Sequence, residues 1–153
     1  MHTSAEYRTR IRLRQAEDDA FIVRVATQAF AEFSRDPGRG TLRMARAGVT
    51  WIAERGELRV GFAVVHRTGR ASAELAAIAV DEQRRARGVG GELLDAVERA
   101  LLATGVQELT LHTALANLAA LELFYKRGYR SQQRLPRFYR GVFEACLMRK
   151  QLV

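Results

Sequence analysis

The sequence contains few of the residues and patterns that mark several large protein classes. Cys146 is the only cysteine among the 153 residues, so neither an intramolecular disulfide framework nor a site built on several cysteines can form. Its apolar neighbours favour a packed thiol over a reactive nucleophile. His2, His66 and His112 lie far apart and show no HExxH spacing, so we expect no metal site. Neither a GxSxG elbow nor a GxxxxGKS/T phosphate loop occurs.

Long apolar runs are also missing. No stretch approaches the roughly 20 apolar residues that a membrane helix needs. The first 14 residues are polar and charged and contain no secretory apolar segment. These absences predict a soluble, cytoplasmic protein without a membrane partner.

The positive charge of the chain is concentrated near its C-terminus. The chain has 25 basic and 17 acidic residues, a formal net charge of +8. Residues 126–153 hold eight basic residues against Glu144 alone, so this segment carries seven of the eight net charges. The nearly neutral remainder argues against a uniformly basic surface for nucleic acid. Only Lys126 and Lys150 are lysines; the other basic residues are arginines, which suit forked contacts with phosphate or carboxylate.

Length and hydrophobic patterning predict one mixed α/β domain over residues 1–153, with a core from about 9 to 150. Asp18 and Asp19 offer an N-cap to the first helix. The segment Ser34 to Gly40, with Asp36-Pro37-Gly38, is predicted to be a loop. The predicted elements are strands at 10–14, 49–54, 58–65, 71–80, 109–113, 129–133 and 143–148, and helices at about 22–33, 41–47, 90–103 and 118–127.

The strongest chemical signal is an arginine and glycine loop between a buried strand and an amphipathic helix. The strand ends near Val80, and the loop contains Arg84, Arg85 and Arg87 before the glycines at 88, 90 and 91. Glycine allows close approach of the backbone to a ligand, and a helix N-terminus presents unpaired N–H groups and partial positive charge. This pattern favours a pyrophosphate site, and the alternative is a tight turn that needs glycine for its geometry alone.

Two motifs, one in this loop and one further along the chain, resemble those of the GCN5-related N-acetyltransferases. Arg85-x-x-Gly88-x-Gly90 matches the family's Q/R-x-x-G-x-G/A loop. The segment from Asn117 through Tyr125 to Gly128 and Tyr129 is similar to its N-x-x-A-x-x-x-Y-x-x-x-G-F/Y helix. The resemblance covers about residues 9–150 and is strongest from Ala71 to Tyr129. It implies a mostly antiparallel central sheet splayed between the fourth and fifth strands, with about four helices.

The resemblance also implies an activity and a cofactor. Members transfer an acetyl group from acetyl-CoA directly to a primary amine, in a small molecule, a protein N-terminus or a lysine, within a ternary complex. The end of the strand before the loop, Ile78 to Val80, is expected to offer its backbone to the pantetheine arm. The arginine and glycine loop is expected to bind the pyrophosphate. Asn117 is expected to contact the pantetheine arm, to cap its own helix, or both. The cofactor-binding residues expected on this basis, together with Asn117 and Tyr125, are Ile78, Ala79, Val80, Arg85, Ala86, Arg87, Gly88, Val89, Gly90 and Gly91.

Three residues are catalytic candidates by the same resemblance. Tyr125 matches the tyrosine that protonates the leaving thiolate, and its alternative is an amphipathic core residue. Glu74 stands where histone-type members place a glutamate base, and His112 where ribosomal-protein N-terminal acetyltransferases place theirs. Imidazole titrates near neutral pH, which suits a base. A cross-sheet ion pair for Glu74, a hydrogen-bonded strand position for His112, and water as the base all stay open.

The C-terminal segment resembles the family's hairpin at the acceptor cleft. Arg134, Arg137 and Arg140 would then face the acceptor and favour one that carries negative charge; plain surface charge is the alternative. A homodimer is a further expectation from the family. Two other functions compete: a nucleic-acid-binding module that uses the arginines and aromatics of residues 134–139, and an acyl-CoA sensor without turnover.

Overall fold

The computed structural model describes residues 8–83 and 88–152. In this part of the chain, seven strands form one sheet in the order β1-β2-β3-β4-β5-β7-β6. The strands are β1 (Thr9–Leu13), β2 (Val49–Arg55), β3 (Leu58–Arg67), β4 (Ser72–Val80), β5 (Glu108–Ala114), β6 (Arg130–Tyr139) and β7 (Phe143–Gln151). The α-helices are α1 (Asp19–Phe30), α2 (Pro37–Ala47), α3 (Val89–Ala103) and α4 (Leu118–Lys126), and a 3₁₀ turn (Ala16–Asp18) precedes α1.

The expected order of elements and the splayed, mostly antiparallel sheet are confirmed. All neighbouring strands are antiparallel except β4 and β5, which run parallel. That parallel pairing spans only Ser72–Leu75 against Glu108–Leu111. Beyond it, β5 continues to pair with β7 and β4 with β3, so the two halves of the sheet separate. The separation opens a gap at the end of β4.

A β-bulge in β4 decides which face each of its residues occupies. Val64 pairs with Ala77, but the next residue of β3, Val65, pairs with Leu75, so Ala76 is extra. An extra residue reverses the alternation of side chains along a strand. Leu75 therefore packs in the core cluster beneath α3, whereas Ala77 packs in the cluster beneath α1 and α2. By the same alternation, Glu74 lies on the α1 side of the sheet, together with Ala77.

Helix α3 follows its predicted apolar stripe. Leu93, Leu94, Val97 and Leu101 are all buried in the cluster that α3 shares with the sheet. No helix within residues 8–83 and 88–152 is long and apolar enough to span a membrane.

Two predicted boundaries were wrong by four residues or more. Helix α2 begins at Pro37, inside the segment predicted to be a loop, because Asp36 caps it by accepting a hydrogen bond from the Arg39 N–H at 3.4 Å. Strand β6 runs to Tyr139, six residues past its predicted end. Its side chains are mostly exposed and carry no period-2 apolar pattern, so pairing with β7 is what defines it.

Candidate active site

A cavity of about 510 Å³ lies where β4 and β5 separate. The end of β4 forms one wall, the first turn of α3 the floor, and the start of α4 the opposite wall. The C-terminal end of α1 closes a further side. The residues that line the cavity include Phe33, Ile78, Ala79, Val80, Gly88, Gly90, Gly91, Asn117, Leu123 and Phe124.

The first turn of α3 is shaped by glycine. Gly88 is the N-cap at φ +77°, in the left-handed region that favours glycine. A Cβ on Gly90 would stand 3.3 Å from Leu123 Cδ2, so the absence of a side chain there lets α4 approach α3. The N–H groups of this turn have no partner inside the helix. The cavity floor is therefore bare backbone with partial positive charge.

Asn117 sets the start of α4. Its side-chain oxygen accepts a hydrogen bond from the Ala120 N–H at 3.2 Å, so the N-cap prediction is confirmed. The same residue lines the cavity opposite Ile78, Ala79 and Val80. Asn117 therefore caps α4 and also borders the cavity.

The structure brings most of the expected cofactor-binding residues together. Except for Val89 and Tyr125, those that it describes line the cavity. The Val89 side chain is buried in the core under β3 and leaves only its backbone near the cavity floor. Arg85, Ala86 and Arg87 lie outside the described residues.

Tyr125 does not line the cavity. Its side chain is 46% exposed, whereas the neighbouring Phe124 is buried and forms part of the cavity wall. In the N-x-x-A-x-x-x-Y motif the tyrosine stands seven residues after the asparagine, and in this chain that position is Phe124. Tyr125 is one residue further, and one residue on a helix turns a side chain by about 100°. Tyr125 therefore lies on a different face of α4 from Phe124.

Glu74 and His112, which the sequence offered as alternatives, lie side by side. His112 Nδ1 is 3.6 Å from Glu74 Oε1, and His66 Nε2 on β3 is 3.8 Å from Glu74 Oε2. At these separations an imidazole and the carboxylate form an ion pair only when the imidazole is protonated, and the atoms are too far apart for a hydrogen bond. Both Glu74 and His112 are partly buried, with side-chain exposures of 28% and 25%. The carboxylate thus lies between two imidazoles.

Aromatic side chains of the β6–β7 hairpin cover this group. The Phe138 ring stacks on His112, with centroids 4.9 Å apart and an interplanar angle of 12°. Tyr139 packs on Phe33, whose ring also borders the cavity. Burial, and then the charge of Glu74, raise the pKa of Tyr139 to about 12. Its phenol therefore keeps its proton at neutral pH and can act as a hydrogen-bond donor.

Most of the basic C-terminal segment is paired with carboxylates. Arg134 pairs with Glu144 at 2.6 Å. This contact does not support the prediction that Arg134 faces the acceptor. Arg137 and Arg140 form no ion pair with any described residue. Both are exposed and hold positive φ angles of 58° and 55°, on either side of Phe138 and Tyr139. Other basic residues of the segment pair with acids elsewhere in the chain: Lys126 with Glu122, Arg127 with Asp95, Arg149 with Glu108 and Lys150 with Glu98.

Sequence reasoning missed three residues of this region. Phe33 was indistinguishable from an ordinary core aromatic of an amphipathic helix, whereas the motif spacing counted from Asn117 was a signal that could have identified Phe124. Tyr139 was visible only as part of a basic and aromatic cluster, because nothing in the local sequence indicates its position beside Glu74. Within residues 8–83 and 88–152, no group of three or more His, Cys, Asp or Glu side chains could hold a metal ion.

Comparisons with known proteins agree with this geometry. A model of the acetyltransferase (GNAT) family matches residues 11–129. No curated protein matches the chain significantly. Among solved structures, Ard1 from Thermoplasma volcanium has a TM-score of 0.83 at 23% identity, over 95% of this chain and 98% of that one.

Two further solved structures are similar. The ribosomal-protein-S18-alanine N-acetyltransferase from Escherichia coli has a TM-score of 0.82 at 21% identity, over 95% of this chain and 94% of that one. A GNAT family acetyltransferase from Elizabethkingia anophelis with acetyl-CoA bound has a TM-score of 0.76 at 18% identity, over 94% and 97%. At these identities the likeness establishes a shared fold.

Proposed function

The chain belongs to the acetyltransferase (GNAT) family, and we propose that it transfers an acetyl group from acetyl-CoA directly to a primary amine in a ternary complex. The observation that carries the proposal is the cavity between the separated ends of β4 and β5. The end of β4, the glycine-containing first turn of α3 and the N-cap residue Asn117 all line this cavity.

The residues present fit acetyl-CoA. Ile78 and Ala79 lie on the part of β4 that has left β5, so their backbone can pair with the amides of a pantetheine arm as an added strand would. The bare first turn of α3, at Gly88 and Gly90, suits a pyrophosphate. A volume of about 510 Å³ is that of a small-molecule site.

Acetyl-CoA supplies an activated acyl group, and residues of the chain accept the proton that the acceptor amine loses. An ammonium group has no lone pair, so the acceptor must lose a proton before it attacks. We assign the base to Glu74 with His112, which lie 3.6 Å apart beside Leu75 and Leu111, the last pair between β4 and β5. Tyr139 is a hydrogen-bond donor beside them. Tyr125 is left out of this assignment because its side chain is 46% exposed and the tyrosine position of the motif falls on Phe124.

The acceptor is proposed to carry negative charge close to its amine. Arg137 and Arg140 flank Phe138 and Tyr139 at the hairpin, are exposed, and have no carboxylate partner in the described part of the chain. Arginine binds carboxylate or phosphate through forked hydrogen bonds. The other hairpin arginine, Arg134, is already paired with Glu144.

Calorimetry with acetyl-CoA tests the cofactor assignment. Gly90→Glu places a charged side chain between Val80 and Leu123 and is expected to weaken binding by at least about 100-fold, or about 2.7 kcal/mol. Gly40→Glu in α2 is the matched control, because a Cβ there meets nothing within 4 Å. Circular dichroism must show both variants folded. Absence of binding by the wild type, or equal binding by both variants, contradicts the assignment.

A thiol-release assay with an amine panel tests the reaction and the acceptor. The panel contains spermidine, free amino acids, and peptides with N-terminal alanine followed by Asp, Ser or Lys. Glu74→Gln is expected to lower kcat by about 100-fold or more, as loss of a general base does. The double variant Arg137→Gln/Arg140→Gln should raise KM for the Ala-Asp peptide and leave KM for the Ala-Lys peptide unchanged. Equal effects on both peptides contradict the proposed acceptor charge.

A further inference from the structure

His66 is the outer member of a row of titratable side chains that crosses three adjacent strands. It lies on β3 directly opposite Glu74 on β4, and His112 follows on β5. We propose that His66 is the proton exit of the acetyl transfer, passing to solvent the proton that Glu74 takes from the acceptor. This inference rests on the proposed function and adds a residue to it.

Exposure rises along the row in the direction that a proton must travel. His112, at the point where β4 and β5 separate, has a side chain 25% exposed; Glu74 is 28% exposed and His66 45%. The two oxygens of Glu74 face different imidazoles: Oε1 faces His112 and Oε2 faces His66. A carboxyl group that accepts a proton on Oε1 can therefore present it to His66 by rotating about its last side-chain torsion, which is broad and two-fold in glutamate. The 3.6 and 3.8 Å separations need to shorten by under 1 Å, as catalytic hydrogen bonds often do once substrate is bound.

The other ionisable groups around the row leave this path open. Tyr139 faces Glu74 from the hairpin, and its raised pKa keeps it protonated, so it does not compete for the proton. Arg67, next to His66 on β3, donates to the Thr104 carbonyl. Arg149 on β7, opposite Thr110, pairs with Glu108.

The proposed step balances without any redox partner. The acceptor ammonium gives one proton to the Glu74 carboxylate and becomes a neutral amine. The carboxylic acid gives that proton to Nε2 of neutral His66, which becomes an imidazolium and releases it to water. Each turnover returns Glu74 to the carboxylate and His66 to the neutral imidazole. His66 does not touch the acceptor and acts only through Glu74.

The test is the buffer dependence of kcat for His66→Gln. Gln keeps the size and polarity of the side chain but cannot carry a proton. We expect kcat to fall about tenfold in dilute buffer, less than the loss of a direct base causes, with KM unchanged. Imidazole added to the assay should restore most of kcat in His66→Gln and leave the wild type unchanged. Arg70→Gln, in the exposed turn that follows β3, is the matched control and should behave as the wild type.

The outcomes separate this inference from the function beneath it. If the wild type acetylates an amine of the panel but His66→Gln has normal kcat, the proton exit is wrong and the proposed function stands. A loss of kcat that imidazole does not restore indicates a structural role and also overturns the inference. If the wild type acetylates no amine, the proposed function fails and the proton exit fails with it. Loss in dilute buffer with recovery in imidazole supports both.

Discussion

Asp18 is the most completely buried charged group in the described part of the chain, and its replacement should destabilise the fold. Its side chain is 1% exposed. Both oxygens accept from the guanidinium of Arg12, each at 2.8 Å; Arg59 Nε and the Gln15 N–H add bonds of 2.7 Å each. These bonds from Arg12, Gln15 and Arg59 to Asp18 hold the start of α1, and the other end of α1 borders the cavity. Asp18→Asn keeps the shape, removes the charge and turns an NH₂ donor toward the guanidinium donors.

The cost follows from these contacts. Breaking a buried ion pair by removing one partner costs about 3 to 5 kcal/mol, because the remaining charge is left without compensation. Arg12 keeps a second partner in Glu54 at 3.0 Å, so we expect the lower end, about 3 kcal/mol. With a urea slope of about 2 kcal/mol per molar, the unfolding midpoint should fall by about 1.5 M.

The stabilisation by Asp18 should also depend on pH. The hydrogen bond from Arg12 holds the pKa of Asp18 in the folded protein well below its usual range. Below about pH 4 the unfolded chain therefore binds a proton that the folded protein does not. The stabilisation is complete above about pH 5 and decreases as pH falls through 4 toward the folded pKa. The gap between wild type and Asp18→Asn should accordingly narrow between pH 5 and pH 2.

Urea unfolding followed by circular dichroism at pH 7, 4 and 3 measures both effects. Asp19→Asn is the matched control, because Asp19 also pairs with two arginines, Arg14 and Arg46. The Asp19 side chain is 17% exposed and that of Arg46 is 62% exposed, so water screens these pairs more than those of Asp18. We expect it to cost about 1 kcal/mol or less. If Asp18→Asn costs no more than Asp19→Asn at pH 7, or if the gap widens in acid, the reasoning on the buried pair is wrong.

Three further predictions address the site. Tyr125→Phe should leave kcat in the thiol-release assay within about twofold of the wild type, whereas a general acid would contribute at least about 100-fold, so a large loss would restore the acid role of Tyr125. Asn117→Ala removes the cap of α4 and should lower the free energy of unfolding by about 1 kcal/mol; an unchanged urea midpoint would contradict the cap. Because the pKa of Tyr139 is raised to about 12, the folded protein holds a proton that the unfolded chain has lost above about pH 10, so stability falls from pH 10 upward. Tyr139→Phe should show a smaller fall in thermal unfolding scans, and an equal fall in both proteins would argue against that shift.

Elements with a strong periodic pattern were predictable from sequence, and those defined by pairing were not. The apolar stripe of α3 identified four of its six buried residues, Leu93, Leu94, Val97 and Leu101, because burial of one helix face imposes a period of 3.6. Strand β6 was predicted six residues too short, because a mostly exposed edge strand needs no apolar alternation and is held by its neighbour β7.

The cofactor side of the site was more predictable than the acceptor side. Glycines before a helix have a local backbone reason, so the loop and α3 could be interpreted from neighbouring residues. The acceptor side depends on contacts across the sheet. His66, Glu74 and His112 come from three strands, and Tyr139 from a fourth element far along the chain.

By itself, the sequence determined the order of the elements, the glycine start of α3 and the membership in a family. These features depend on local periodicity and on short motifs, which are properties of neighbouring residues. Motif spacing counted from Asn117 also distinguishes Phe124 from Tyr125, because one residue turns a helix by about 100°. Only the tertiary structure, through the bulge in β4 and the register of β3 and β5, placed Glu74 between His66 and His112, since strand pairing joins residues that are distant in the chain.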